Sequence, residues 1–308
     1  MLRKFFSQDE IKRITRNIIT LPTLPTVVAK MIELVDNPKT TAATLGKLIS
    51  SDQVLTAKIL KLANSAFYAF PRRIGTVHLA VVVLGFEIVK DLALSVSVID
   101  QFSKGDEEET FDVMRFWEHS IGSGVASRML AARYGYRVSG EAFTAGLLHD
   151  IGKLVLREYL KSEFREVMER VRAEGCSFLE AEQEVLGVTH AEIGGWLVEK
   201  WSLPTHLVEA IRTHHQPAEA LKNPELAGLT HAADILCRVA GIGSGGDDRV
   251  PPMDPQVREI LGIPLLDSGE SDLEMYRQQL MEEMEKAEIF VNLIQGKEIK
   301  ERSYAKRA

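Results

Sequence analysis

Apolar residues recur every three to four positions through nearly all of this 308-residue chain, and period-2 alternation is almost absent. Such a pattern cannot give a sheet with one buried face, so the core must come from helix packing. Helices are expected at 8–19, 26–35, 41–50, 53–64, 76–84, 86–99, 111–133, 141–148, 151–160, 226–240 and 271–295. LPTLP at 21–25 and Asn37-Pro38 break the early segments. Ser177-x-x-Glu180 and Thr189-x-x-Glu192 read as capping boxes. The first opens a helix that stops near Gly187; the second puts His190 in the first turn of the next. Pro204 lies at the start of a helix running to about His214.

The predicted architecture is therefore all-α, a multi-helix fold in two packed helical halves. The halves are 1–102 and 111–240, with 241–308 following as a loop and a C-terminal helix. The acidic run SKGDEEE at 103–109 marks the boundary between the halves. GIGSGGDDRVPPMDP at 241–255 is flexible by composition, and reads either as a lid over a site or as a link to the last helix.

Composition narrows the partners. At 45% hydrophobic and 26% charged, the chain can bury a real core. Net charge is -7 with Lys and Arg dispersed, so a nucleic acid polymer is not an expected partner. The longest apolar stretch, 79–86, is too short to span a bilayer, and the first ten residues lack the apolar core of a signal peptide. No membrane partner is expected. Two cysteines, Cys176 and Cys237, read as reduced thiols of a cytoplasmic protein.

The chemistry lies in the histidines and aspartates. His149 is followed by Asp150 in GLLHDIGK. Alone, that pair is an ordinary helix end with an Asp cap. Its company changes the reading: His119 upstream in FWEHS, then His190, the doublet His214-His215, and Asp234 in HAADILC. Single polar ligands on apolar helices are how helical bundles build metal sites. Imidazole with carboxylate suits Fe, Mn, Zn or Mg, and a carboxylate can bridge two ions about 3.5–4 Å apart. Taken singly, His119 reads as a satisfied core histidine, His190 as a first-turn residue, and His214-His215 as imidazoles favoured by a helix C-terminus. Asp234 is costly to bury without a partner. His231, one turn before it, reads as a surface residue or a support to the ligands; His78 and His206 read as structural.

The order His119, His149-Asp150, His190, His214-His215, Asp234 resembles the ligand order of the HD superfamily, in particular its HD-GYP branch. The resemblance implies that His119, His149, Asp150 and Asp234 hold one metal. It implies that Asp150, His190, His214 and His215 hold a second. It also places Lys153 of GLLHDIGK beside the reacting phosphate, with Asp150 and Lys153 as the catalytic pair. Two departures stand out. After His214-His215 the chain reads QPAEALKNPE, without the glycine-rich GYP segment. Arg115 also stands one turn before His119, where members with a third metal have Glu.

The first half is similar to the HDOD family across LPTLPTVVAKMIELV, LGKLISSDQVLTAKILKLANSAFY and IGTVHLAVVVLGFEIVKDLAL. The combined resemblance covers roughly 8–240 and implies a bacterial signalling module. HDOD proteins are usually described as having lost catalytic residues, whereas this chain keeps every ligand type. The expectation is an HDOD signal-transduction protein with an HD-type dinuclear site, acting as a binding or output module. Two divalent ions are expected, iron or manganese first, with zinc or magnesium as the other choices. Its partners would be a phosphate-containing or nucleotide ligand and a signalling protein in trans. The alternative is a metal-dependent phosphohydrolase or phosphodiesterase acting on a phosphate ester or cyclic nucleotide.

Overall fold

Side-chain caps decide where several helices begin. In the computed structural model, which describes residues 21–35, 37–103, 111–137, 139–261 and 269–295, the first helix is α1 (Thr26–Val35). Thr41, Asp52 and Thr76 accept backbone N–H groups at the starts of α2 (Ala42–Ile49), α3 (Gln53–Ala63) and α4 (Val77–Leu84). Each cap satisfies a donor that the helix itself leaves orphaned, for about 1 kcal/mol. Gly85 separates α4 from α5 (Phe86–Phe102), which runs three residues past its expected end. The helix expected at 8–19 and most of the acidic boundary at 103–109 lie outside the described residues.

The fold is all-helical, with no strand among the described residues. The chain divides into two units. Described residues of 24–104 and 278–308 form one, and those of 1–23 and 105–277 form the other. In the first, α1 packs on α2 and α5, and α4 on α2 and α5. Its core includes Met31, Ile49, Ile59, Leu62 and Val81. Buried Asn64 closes the loop after α3. Its Nδ2 donates to the Ile74 carbonyl, and its Oδ1 accepts from the Ile74 N–H, both at 2.8 Å. Phe67 meets Phe290 edge-on at 5.3 Å, in the part of α15 (Gly269–Ile294) that belongs to this unit.

The second unit is built on α6 (Val113–Tyr134), capped by Asp112 and ended by left-handed Gly135. Against it lie α7 (Ser139–Leu148) and α13 (Pro224–Ala240). Between these in sequence come α8 (Ile151–Tyr159), α9 (Lys161–Glu174), α10 (Phe178–Val185), α11 (His190–Lys200) and α12 (Thr205–Thr213). Both capping boxes form, at Ser177–Glu180 and Thr189–Glu192. Helix α9 was not anticipated, although Phe164, Val167 and Met168 turn one apolar face inward. Short α14 (Pro255–Leu261) follows the loop 241–254 and packs on α13. No helix of the described residues is long and apolar enough to cross a membrane.

Candidate metal centre

Helix ends deliver most of the polar side chains to one place. His149 and Asp150 occupy the break between α7 and α8. His190 is the first residue of α11, and His214 caps the C-terminus of α12. His119 and Asp234 project from the middles of α6 and α13. The packing of α8 on α11 depends on Gly152. A Cβ there would lie 1.9 Å from the His190 carbonyl oxygen, so only glycine lets α8 lie against the start of α11.

The structure brings all seven residues together as two adjoining clusters. His119, His149 and Asp234 form one; Asp150, His190, His214 and His215 form the other. Asp150 faces both. Its Oδ2 lies 3.4 Å from His149 Nε2 and 3.9 Å from His119 Nε2. Its Oδ1 lies 3.0 Å from His190 Nε2 and 3.8 Å from His214 Nε2. Asp234 Oδ1 closes the first cluster, 3.0 Å from His119 Nε2 and 3.8 Å from His149 Nε2. All are buried except His215, which is partly exposed. His78 is exposed in the other unit, and His206 pairs with Glu141 at 3.0 Å, away from the clusters.

The outer ring atoms fix how the imidazoles present themselves. His149 Nδ1 lies 2.7 Å from the Gly146 carbonyl, and His214 Nδ1 lies 2.7 Å from that of Ile211. A carbonyl only accepts, so both rings donate from Nδ1 and turn Nε2 inward. His190 Nδ1 donates to Glu182 Oε1 at 2.6 Å, while Glu182 Oε2 takes the His190 N–H at 2.8 Å. His149 Nε2, His214 Nε2 and Asp150 Oδ1 are buried without a hydrogen-bond partner. Orphaned buried polar atoms are costly. Here they converge from the α7–α8 break and the end of α12, and this donor set of imidazoles and carboxylates fits divalent metal ions.

The electrostatics of the site are mixed. Burial lowers the His149 and His190 imidazoles, but Asp150 and Asp234 push His149 up to about 9, and Glu182 and Asp150 raise His190, so a cation there would displace a proton. Burial pushes the Asp150 carboxyl up, but His149, Lys153 and His190 hold it well below the usual carboxylate range. Burial likewise opposes Asp234, which Arg238 and His119 hold down. Burial and the neighbouring imidazoles push His214 well below its ordinary value, so its ring is neutral. Burial raises Glu182, against the pull of His190.

Three residues outside the predicted set, Glu182, Arg238 and His231, contact the clustered residues, and a fourth, Glu209, holds the segment 221–223. Glu182 orients His190. Arg238 Nε donates to Asp234 Oδ1 at 2.8 Å, and its Nη1 donates to Asp247 Oδ1 at 3.0 Å. His231, read as a surface residue or a support to the ligands, is buried. Its Nδ1 donates to the His214 carbonyl at 2.8 Å, and its Nε2 accepts from Asp254 N at 3.0 Å. Glu209 accepts the N–H groups of Leu221, Lys222 and Asn223, which shapes the segment where a GYP motif would stand. An amphipathic pattern marks Glu182 and Glu209 only as ordinary helix acids, so spacing offered no signal for them.

The loop 241–249 covers the clusters. Gly243, at φ +62°, lies so close to α6 that a Cβ would come 2.2 Å from the Arg115 carbonyl oxygen. Arg115 Nη2 donates to the Gly243 carbonyl at 3.0 Å, and Ser244 N to the Arg115 carbonyl at 2.9 Å. Lys153 is 1% exposed. Its Nζ donates to Asp150 Oδ2 at 2.6 Å and to the Gly245 carbonyl at 2.8 Å, with the Phe178 ring centroid 5.0 Å away. The ammonium thus ties the loop to the shared aspartate.

Residues 21–217 match the HDOD domain, nearly two thirds of the chain. The chain belongs to the HDOD family. Asp234 and the covering loop lie beyond the matched segment of this HDOD protein. A solved HDOD domain protein of unknown function from Geobacter sulfurreducens is 25% identical, with a TM-score of 0.73 over 93% of this chain and 97% of that one. A structure from Shewanella amazonensis, named as a candidate phosphohydrolase, is 27% identical, with a TM-score of 0.70 over 92% and 98%. An uncharacterised protein of Treponema pallidum is 26% identical over 203 residues, 66% of this chain. The chain spans 39% of the length of that curated relative.

Proposed function

We propose that this HDOD protein is a signal-transduction module that holds two divalent metal ions, bridged by Asp150, and serves as a binding or output module in the cytoplasm. One observation carries the reading. The two oxygens of Asp150 face separate groups of buried imidazoles, with His149 Nε2 and His214 Nε2 bare of hydrogen bonds. His119, His149, Asp150 and Asp234 would hold one ion; Asp150, His190, His214 and His215 would hold the other. With five imidazoles, two carboxylates and no thiolate, iron or manganese suits the set best, ahead of zinc or magnesium.

The cover favours binding over turnover. Lys153 and the loop 241–249 close over the donors, and every predicted ligand except His215 is buried. The output then passes to a phosphate-containing or nucleotide ligand and to a signalling protein in trans.

A second reading, a phosphohydrolase or phosphodiesterase, is favoured by the completeness of the donor set and the partial exposure of His215. Paired ions in such a site lower the pKa of bound water and neutralise phosphoryl charge. In that reading the chain's own residues have separate tasks. Asp150 would help to hold both ions, Glu182 and the Gly146 and Ile211 carbonyls hold the rings in register, and Lys153 would offer its ammonium to a phosphoryl oxygen.

Metal analysis of the purified protein beside Asp150→Ala tests both. About two equivalents of metal, lost in the variant, with no turnover of a phosphoester panel, supports the binding module. Metal-dependent turnover abolished in Asp150→Ala supports the hydrolase. A protein that takes up no metal after reconstitution overturns both.

A further inference from the structure

Both carboxylates of the metal centre are tied to the covering loop through a cation. Lys153, on α8, gives Nζ to Asp150 Oδ2 at 2.6 Å and to the Gly245 carbonyl at 2.8 Å. Arg238, in the last turn of α13, gives Nε to Asp234 Oδ1 at 2.8 Å. Its Nη1 reaches Asp247 Oδ1 and the Arg249 carbonyl, both at 3.0 Å. These two cationic side chains are only 1% and 9% exposed, so solvent screens their contacts little. Asp247 is fixed in turn, because its Oδ2 accepts the Phe178 N–H at the start of α10.

The two clusters differ in this respect. Asp150 Oδ2 and Asp234 Oδ1, the oxygens that the cations hold, are the two that face His119 and His149. The other Asp150 oxygen, Oδ1, faces His190 and His214 and is buried without a hydrogen-bond partner. The His190 cluster thus offers an ion a bare carboxylate oxygen. The His119 cluster offers oxygens that already accept from an ammonium and a guanidinium. An ion entering it must take both oxygens from those donors, and it sets a double positive charge beside two fixed positive charges. In a buried site that repulsion is stronger than in water. Lys153 and Arg238 hold the loop only while the carboxylates hold them, so one ion would undo both ties together.

We propose that filling the His119 cluster with a divalent ion releases the loop 241–249, so that metal occupancy changes the surface this module presents. The inference rests on the metal reading above and names what the metal regulates. One further clasp holds the closed loop: Arg115 Nη2 donates to the Gly243 carbonyl at 3.0 Å, and Ser244 N donates to the Arg115 carbonyl at 2.9 Å. Coupling between two sites is reciprocal. If the ion favours the released loop, anything that weakens the closed loop strengthens ion binding. A loop that merely covers the ion gives the opposite sign.

Amide hydrogen exchange across 241–249, read by mass spectrometry in chelator-stripped and manganese-loaded protein, tests it. Loading should speed exchange in this loop by at least about tenfold. Arg115→Ala removes the side-chain clasp at an exposed position and takes away no candidate ligand. In chelator competition it should bind manganese about two- to tenfold more tightly than wild type. Uptake of about two equivalents with loop exchange unchanged or slowed overturns the inference and leaves the metal reading standing. Manganese binding that is unchanged or weaker in Arg115→Ala does the same. No uptake of manganese by the folded protein overturns both.

Discussion

Lys153 Nζ sits 2.6 Å from Asp150 Oδ2, one turn further along the same segment, with both side chains 1% exposed. A buried ammonium so placed neutralises the carboxylate that two metal ions would otherwise share. Removing one partner of a buried pair typically costs about 3–5 kcal/mol, because the other charge is left uncompensated. Lys153→Met should therefore destabilise the metal-free protein by about that much. Bound cations would replace the lost charge, so metal loading should recover most of the loss. Calorimetric melts with and without chelator compare the two states; an equal loss in both would show that Lys153 does not balance Asp150.

Gly152→Ala tests the close approach of α8 to α11. The added Cβ would fall 1.9 Å from the His190 carbonyl oxygen, so the helices must part. A loss of about 1–3 kcal/mol or more is expected, with impaired metal retention, because His190 moves with the start of its helix. Gly75→Ala is the control, since nothing lies within 4 Å of its added Cβ. Denaturant melts of the two variants should differ clearly; similar curves would remove the steric argument.

Glu182→Gln keeps the shape of the contact with His190 but removes its charge. Loss of a carboxylate that orients a ligating imidazole typically costs about 10–100-fold in metal affinity. The second metal equivalent should weaken by that factor in chelator competition, and the first should change little. Unchanged binding of both equivalents would leave Glu182 with a purely structural role.

The two thiols should differ in reactivity. Cys237 is fully buried on α13, and burial pushes its thiol far above the usual range. Cys176 is only partly buried. Because the thiolate is the reactive form, raising the pH within the native range should speed labelling of Cys176 while Cys237 stays protected. A colorimetric thiol titration should count one fast group in native protein and two in denaturant. Two fast groups in native protein would contradict the packing of α13.

Local sequence determined the helical fold and the identity of the clustered side chains. Helix period, capping boxes and glycine stops act over three or four residues, so Thr26–Val35 and the boxes at Ser177 and Thr189 were legible directly. The clustered residues could be named because their order resembles that of the HD superfamily, and each sits at a helix end or stands out on an apolar helix. Other parts depended on contacts between distant segments. Glu182 looks like any acid of an amphipathic helix until α10 packs beside the start of α11 and buries it against His190. His231 looks exposed until Asp254 returns to it from 23 residues away. The loop 241–255 read equally as lid or link. Only tertiary structure placed it over the clusters, through an Arg115–Gly243 contact spanning 128 residues. The physical reason is range: periodicity and capping are set by neighbouring residues, whereas burial of a polar group or seating of a glycine-rich loop depends on what the rest of the fold brings against it.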